Sequence, residues 1–359
     1  MGFFRILAIN PGSTSTKIAL FENEEEKWSE TQRYDVDVLS HYPGIPAQEP
    51  FRLKEIKKAL GKHGEDITFI DAFVGRGGLL RPIPGGTYNI NEKMIEDLRS
   101  CKYGSHASNL GAPLAKHLAE EAGGKRAFIV DPVVVDEMME EARLSGLPGI
   151  DRKSIFHALN QKAVARRAAA ELGKKYEEVN LVVAHMGGGI SVGAHEKGRV
   201  IDVNNALDGE GPFSPERAGS LPAGELVKYA FSGKVEMAEL LRKLTGKGGL
   251  VAHLKTNDLR EVERRIDEGD KHAELIFKAM AYQVAKEIAS RAAALSGRVD
   301  LVVLTGGLAY SKRFTGEITE RVSFIAPVKV YPGEDEMQAL AEGALRVLKG
   351  EEVAKEYTG

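Results

Sequence analysis

The chain has 359 residues, 43% of them hydrophobic and 28% charged, a composition that excludes a chain of membrane spans or a disordered tail. Its 49 Lys+Arg against 52 Asp+Glu leave a net charge of -3, so no basic surplus is available to hold nucleic acid or an anionic membrane. Cys101 is the only cysteine, which excludes an intrachain disulfide framework and predicts a reducing compartment, the cytoplasm. The stretch Met1-Gly-Phe-Phe-Arg-Ile6 carries no secretory pattern, and Ile6 stands where a myristoylation signal needs Ser or Thr, so no membrane or export address is expected. Single cores stop growing beyond about 250–300 residues, and two domains are therefore predicted.

In chain order, residues 5–22 read as an apolar run, a Gly/Ser/Thr turn (Asn10 to Thr16) and a second apolar run, which is a strand, a turn and a strand. An apolar strand over 69–74 then empties into Gly75-Arg76-Gly77-Gly78. Ala-rich helical spacing follows at 112–122, and Phe128-Ile-Val-Asp131 ends another strand. After a further helix over 157–172, the opening grammar returns at 180–203, where an apolar run enters His185-Met-Gly-Gly-Gly189-Ile-Ser191. A long helix over 274–295 precedes an apolar strand, 301–304, that empties into Thr305-Gly306-Gly307. The repeated order predicts two related α/β domains with the crossing near residues 147–150.

In Asn10-Pro-Gly-Ser-Thr-Ser-Thr-Lys17, small residues allow close backbone approach while hydroxyls, amides and Lys17 offer donors and charge, as an oxyanion cradle needs. It is not a P-loop, because no GxxxxGK[ST] occurs in the chain. A Ser/Thr-rich hairpin turn is the bland reading. Its repetition at Gly187-Gly188-Gly189, with the Thr305-Gly-Gly307 loop, favours a nucleotide gripped from both halves. No histidine pair has the HExxH spacing, which rejects a zinc hydrolase.

These segments together resemble the acetate kinase family of the actin/sugar kinase/Hsp70 superfamily, and within it the butyrate and branched-chain fatty acid kinases. The likeness runs from Ala8-Ile-Asn-Pro-Gly-Ser-Thr-Ser-Thr-Lys17 to Pro332-Gly-Glu-Asp-Glu-Met337. It implies two duplicated ribonuclease H-like (actin-like ATPase) domains with a nucleotide cleft between them, one spanning 1–150 plus 338–359 and the other 151–337. It also implies reversible transfer of the ATP γ-phosphoryl group to a short-chain carboxylate, with Mg²⁺, in a homo-oligomer of at least two chains. Positive charge and preorganised donors are what such a transfer needs, and no general base is required because the acceptor is already ionised.

Residue by residue, the resemblance implies that Arg76 holds the carboxylate, and that Arg217 and His157 stabilise the phosphoryl group in flight. Asp131 joins these as a catalytic residue and serves the metal with Asn10 and Glu336, Glu334 being a rival in register. Gly77, Gly78, His106 and Phe156 are expected around the acceptor. Asn10, Ser13, Ser15, Lys17, His185, Gly187, Gly188, Gly189, Asp258, Arg260, Gly306 and Gly307 are expected around the nucleotide. Against these stand ordinary structural readings, such as a helix cap for His157 and a solvated loop for Glu336.

Where acetate kinases place bulky aliphatics after the carboxylate-binding arginine, this chain has Gly77 and Gly78, and Ser105 replaces the family's common leucine. The missing volume is expected to admit a four-carbon acid such as butyrate or isobutyrate. At about 0.8 kcal/mol per methylene, selectivity among such acids is modest. An acetate or propionate kinase is the nearest alternative. A sugar kinase with Asp131 as base, and a non-catalytic ATP-dependent clamp or regulator, are the competing classes.

Overall fold

The computed structural model describes residues 2–359; Met1, the first residue of the N-terminal stretch considered above, lies outside them. The chain divides into two compact units. One holds the chain up to Val135 together with Asp335–Gly359, and the other is Asp136–Glu334.

In the first unit, β1 (Arg5–Pro11), β2 (Ser15–Glu22) and β3 (Glu25–Arg33) form an antiparallel meander. Two strands, β4 (Ala72–Arg76) and β6 (Arg126–Val130), extend it in parallel from β1, and the short β5 (Thr87–Asn89) closes the edge, giving the order β3-β2-β1-β4-β6-β5. In the second unit, β7 (Asn180–Met186), β8 (Ile190–Glu196) and β9 (Arg199–Val203) repeat the meander. The strands β10 (Leu301–Gly306) and β11 (Val328–Pro332) then add in parallel from β7, in the order β11-β10-β7-β8-β9. Apart from β5 the two sheets share one topology, so the internal repeat read in the sequence is a repeat of fold.

Each central strand is apolar on both faces because helices cover both. Along β7, Val182 and Ala184 enter one core with Phe277, Val284 and Phe314, while Leu181 and Val183 enter another with Ala165 and Ala168; this is the period-two alternation of a strand. The helix Lys271–Ala294 starts where the Asp270 side chain accepts from the Ala273 N–H at 2.9 Å. In the first unit, Leu7, Ile9, Phe73 and Ile129 pack with Leu114 and Leu118 of the helix Gly111–Glu121. The helix Glu336–Leu348 lies against β1, β4 and β6, where Gly343 permits close approach, since a Cβ there would stand 2.5 Å from Val130 Cγ2.

Two local expectations shift. The strand expected over 69–74 begins at Ala72, because Ile67–Phe69 is a 3₁₀ turn whose N-terminus the Asp66 side chain caps at Thr68 N, leaving Phe69 exposed. The change of unit falls at Val135/Asp136 rather than near 147–150. Residues beyond it are tied to the second unit by Met139 N–H on Ile201 O (2.9 Å) and by the Lys162–Glu137 ion pair (2.9 Å). Among the described residues no helix is long and apolar enough to cross a membrane.

Candidate functional site

The carboxyl ends of β1, β4 and β6 lie side by side, and each carries a polar residue: Asn10, Arg76 and, one residue past β6, Asp131. The carboxyl edge of a parallel sheet is the usual place for a ligand in open α/β folds. Glu336, in the first turn of the returning helix, accepts from Asn10 Nδ2 at 2.7 Å and forms an ion pair with Arg76. Asp131 is buried in a left-handed conformation (φ 37°), its Oδ1 accepting from Gly86 N–H at 2.6 Å. His106 caps the turn Ala107–Leu110, its Nδ1 accepting from Ser108 N–H at 3.2 Å, which leaves its hydrogen on Nε2. Desolvation, then the Arg76 charge, holds this imidazole below its ordinary range.

The turn between β1 and β2 is closed by Gly12 N–H on Ser15 O at 2.7 Å, with Lys17 half-buried opposite Asn10 and Ser13 exposed. Beneath it lies Arg52, which the sequence reading missed. Its guanidinium is fully buried and donates to Gly12 O, Ser15 O and Ser13 O at 2.8, 2.8 and 3.1 Å, and to Gln48 Oε1 at 2.8 Å. With these carbonyls drawn inward, the turn is held in one shape.

Gly77 and Gly78 do not open the space expected of them. A Cβ on Gly77 would stand 2.5 Å from Pro132 Cβ, and one on Gly78 would stand 2.6 Å from Asn109 Cα and Oδ1. The volume their missing side chains release is filled by the chain itself, so these glycines serve close packing and open no room for a longer acyl tail.

In the second unit the glycine turn Gly187–Gly189 joins β7 to β8 and is clasped by the segment 214–217. Ser214 Oγ donates to Gly188 O at 2.6 Å, and Arg217 Nη1 donates to Ala206 O at 2.5 Å while packing on Gly189, where a Cβ would stand 1.7 Å from it. Burial draws the Arg217 pKa down, with Glu216 opposing. Its Nε is buried with no hydrogen-bond partner among the described residues. His157 occupies the cap position of the helix Ala158–Glu171 but makes no capping hydrogen bond, so that reading of it does not hold. Its ring stacks on His185, with centroids 3.8 Å apart and planes at 11°. His185 Nδ1 is 2.8 Å from Asn160 Oδ1 and Nε2 is 3.0 Å from Glu334 Oε1. Phe156 is buried.

A cavity of about 740 Å³ opens beside the glycine turn, lined by Gly187, Gly188, Asp258, Arg260 and Gly307. Glu216, Glu263, Tyr310, Ser311 and Glu334 also line it, and none of the first four was anticipated. Arg260 grips Asp258 through Nε and Nη2 at 3.0 and 2.7 Å. Gly306, at φ 90°, lets β10 approach β7, since a Cβ would stand 2.4 Å from Met186 O. Glu334 thus belongs with His185 in the second unit, and Glu336 with Asn10 and Arg76 in the first.

The family model described as the Acetokinase family matches residues 123–324, and the chain is 59% identical over 354 residues to a protein of Clostridium acetobutylicum named Butyrate kinase 2, covering 99% of both. The chain belongs to the acetokinase family. Among solved structures, acetate kinase of Porphyromonas gingivalis matches with a TM-score of 0.79 at 21% identity, covering 96% of this chain and 100% of that one. A propionate kinase of Francisella tularensis gives 0.72 at 19%, covering 94% and 98%. These share the actin-like ATPase fold. An acetokinase is a kinase with a carboxylate acceptor and ATP/ADP as its nucleotide substrate.

Among the described residues no cluster of three or more His, Cys, Asp or Glu forms a metal cage. The acidic groups anticipated for the metal are hard oxygen donors: Glu336, which accepts from the Asn10 amide, and Asp131, at the carboxyl end of β6 on the same sheet edge. Such a sparse set fits Mg²⁺, which takes one or two carboxylates and fills its shell with phosphate oxygens and water.

Proposed function

We propose that the chain is a butyrate kinase, which transfers the γ-phosphoryl group of ATP reversibly to butyrate and, by the same chemistry, to isobutyrate and other short acids. The near-full-length 59% identity to a butyrate kinase carries this reading. The four-carbon preference rests on that similarity and not on Gly77 and Gly78.

In this reading Arg76 neutralises the acceptor carboxylate. It exchanges its Glu336 partner for substrate, and the neutral His106 donates from Nε2 to a carboxylate oxygen. The acceptor oxygen attacks the γ-phosphorus, the bond from phosphorus to the β-phosphate bridging oxygen breaks, and the electron pair leaves with ADP; no proton moves. Arg217 and His157 meet the charge on the phosphoryl oxygens. The Gly187–Gly189 turn and the adjoining cavity take the nucleotide, with Asp258 and Arg260 beside the nucleoside and Gly306 and Gly307 beneath it. The Asn10 to Lys17 turn contributes phosphate contacts. Mg²⁺, held by Glu336 and Asp131 with Asn10, would neutralise phosphate charge when bound.

The test is acyl phosphate formation, trapped as hydroxamate, with acetate, propionate, butyrate, isobutyrate and valerate. Two extra methylenes at ~0.8 kcal/mol each give butyrate an advantage over acetate of about tenfold in kcat/KM. Arg76→Ala abolishes most of the activity with every acid. No acyl phosphate from any acid refutes the proposal, and formation from acetate alone restricts the enzyme to the shorter acceptor.

A further inference from the structure

Behind His157 a chain of buried polar side chains runs away from the site. His157 Nδ1 is 2.9 Å from Ser191 Oγ, Gln161 Nε2 is 2.8 Å from the same oxygen, Gln161 Oε1 is 2.9 Å from His195 Nε2, and His195 Nδ1 is 2.7 Å from Tyr176 Oη. Gln161, Ser191 and His195 are fully buried. We infer that Ser191, Gln161 and His195 are positioning residues that lock His157 as the neutral tautomer carrying its hydrogen on Nε2, the donor the phosphoryl group requires. This deepens the kinase reading above and rests on it for the role of His157.

The directions of the bonds from Gln161 to Tyr176 follow from one acceptor. Gln161 Nε2 is also 3.0 Å from the Ser191 main-chain oxygen, which can only accept, so the amide nitrogen of Gln161 must face Ser191 and its oxygen must face His195. His195 Nε2 therefore carries a hydrogen and donates to Oε1. Its Nδ1 is bare and accepts from the Tyr176 hydroxyl. Full burial beside the Lys162 and Arg166 charges keeps this imidazole neutral, as one donor and one acceptor demand.

At the other end, Ser191 Oγ accepts from Gln161 Nε2 and, at 3.5 Å, from the main-chain N–H of His157. Its two lone pairs are thus used, and its own hydrogen points to His157 Nδ1. That nitrogen is an acceptor, and the hydrogen of the neutral ring sits on Nε2. The opposite tautomer would put a second hydrogen into the Ser191–His157 contact and turn a lone pair toward an anionic phosphoryl oxygen.

The experiment is long-range ¹H–¹⁵N correlation on the full chain with ring-labelled histidine at pH 8, assigned by loss of signals in His157→Gln and His195→Gln. The wild type should show the Nε2–H pattern for both His157 and His195. Ser191→Ala should shift His157 toward a tautomer mixture and lower kcat about ten- to hundredfold, as loss of an orienting partner does, with KM for ATP and acid changed less than twofold. Gln161→Glu, which replaces the donor to Ser191 by an acceptor, should move His157 toward Nδ1–H. A wild-type His157 with its hydrogen on Nδ1 overturns the inference whatever the variants do, as does a Ser191→Ala protein with an unchanged His157 pattern. The expected pattern together with a His157→Gln enzyme of undiminished kcat overturns the phosphoryl role of His157 while leaving the lock in place, so the two failures are told apart.

Discussion

Arg52→Met should weaken ATP use and stability together. The substitution keeps the length of the apolar stem and removes the donors that reach Gly12 O, Ser13 O and Ser15 O. A buried acceptor left without a donor costs about 1–3 kcal/mol. Ser15 O keeps the Gly12 N–H, so the acceptors that lose their donor are Gly12 O, Ser13 O and the buried Gln48 Oε1; Ser13 and Thr14 are exposed, so water can reach part of this turn and the low end applies to each of these three. The charge itself is met by carbonyl oxygens rather than a carboxylate, and burial already draws its pKa down, so its removal recovers some desolvation. The net expectation is ~2–3 kcal/mol of lost stability. If the loss falls locally on the turn, and the turn takes phosphate as proposed, kcat/KM for ATP falls about 30- to 100-fold, since each 1.4 kcal/mol is a factor of ten. Arg52→Lys places one point charge where three carbonyls converge and should be intermediate. Urea unfolding midpoints and initial rates over a range of ATP measure both quantities. An Arg52→Met enzyme with wild-type midpoint and wild-type KM for ATP refutes the claim that this side chain shapes the turn.

Three further outcomes are expected. Gly189→Ala places a Cβ 1.7 Å from Arg217 Nη1, so it should displace the guanidinium and lower kcat about a hundredfold; the Gly189→Ala/Arg217→Ala pair should be non-additive, and full additivity would show that the two act separately. Gly77→Ala meets Pro132 at 2.5 Å and should destabilise by ~1–3 kcal/mol while leaving the butyrate-to-acetate ratio of kcat/KM unchanged; a tenfold change in that ratio with an unchanged melting temperature would restore the glycine to the acyl pocket. Acid should destabilise the fold through His195, whose folded pKa lies well below its ordinary 6.5 because of burial and the Lys162 and Arg166 charges. Below pH 6.5 the unfolded chain takes up a proton that the folded chain refuses, so this contribution is fully present above 6.5 and declines as pH falls, by about 1.4 kcal/mol per pH unit. His195→Gln should flatten the slope of unfolding free energy between pH 6.5 and 5 by about one proton, and an unchanged slope would count against a neutral buried His195.

The features legible in the sequence are those whose causes are local. The apolar runs around Asn10 to Thr16 and around Gly187 to Gly189 announce hairpins because strand and turn propensities act over a few residues, and their recurrence disclosed the duplicated topology. The edge strand Glu25–Arg33, by contrast, is rich in charge and mostly exposed, so its strand character comes from pairing with β2 rather than from its own composition. Arg52 and Gln161 escaped notice for a related reason. On a helix pattern each reads as a solvent-facing polar residue, and only the fold shows that Arg52 reaches a turn some 40 positions earlier, or that Gln161 meets Ser191 and His195 about 30 positions later. Gly77 and Gly78 were misjudged from the opposite side. Absent side chains were equated with empty space, whereas Pro132 and Asn109, remote in sequence, occupy it. Volume beside a glycine is a property of its neighbours in space, just as the donor state of His157 is a property of Ser191 and what stands behind it. A motif therefore names the groups that can touch the phosphoryl donor and its acceptor, while the shape, charge and hydrogen positions of those groups are set by residues that carry no motif.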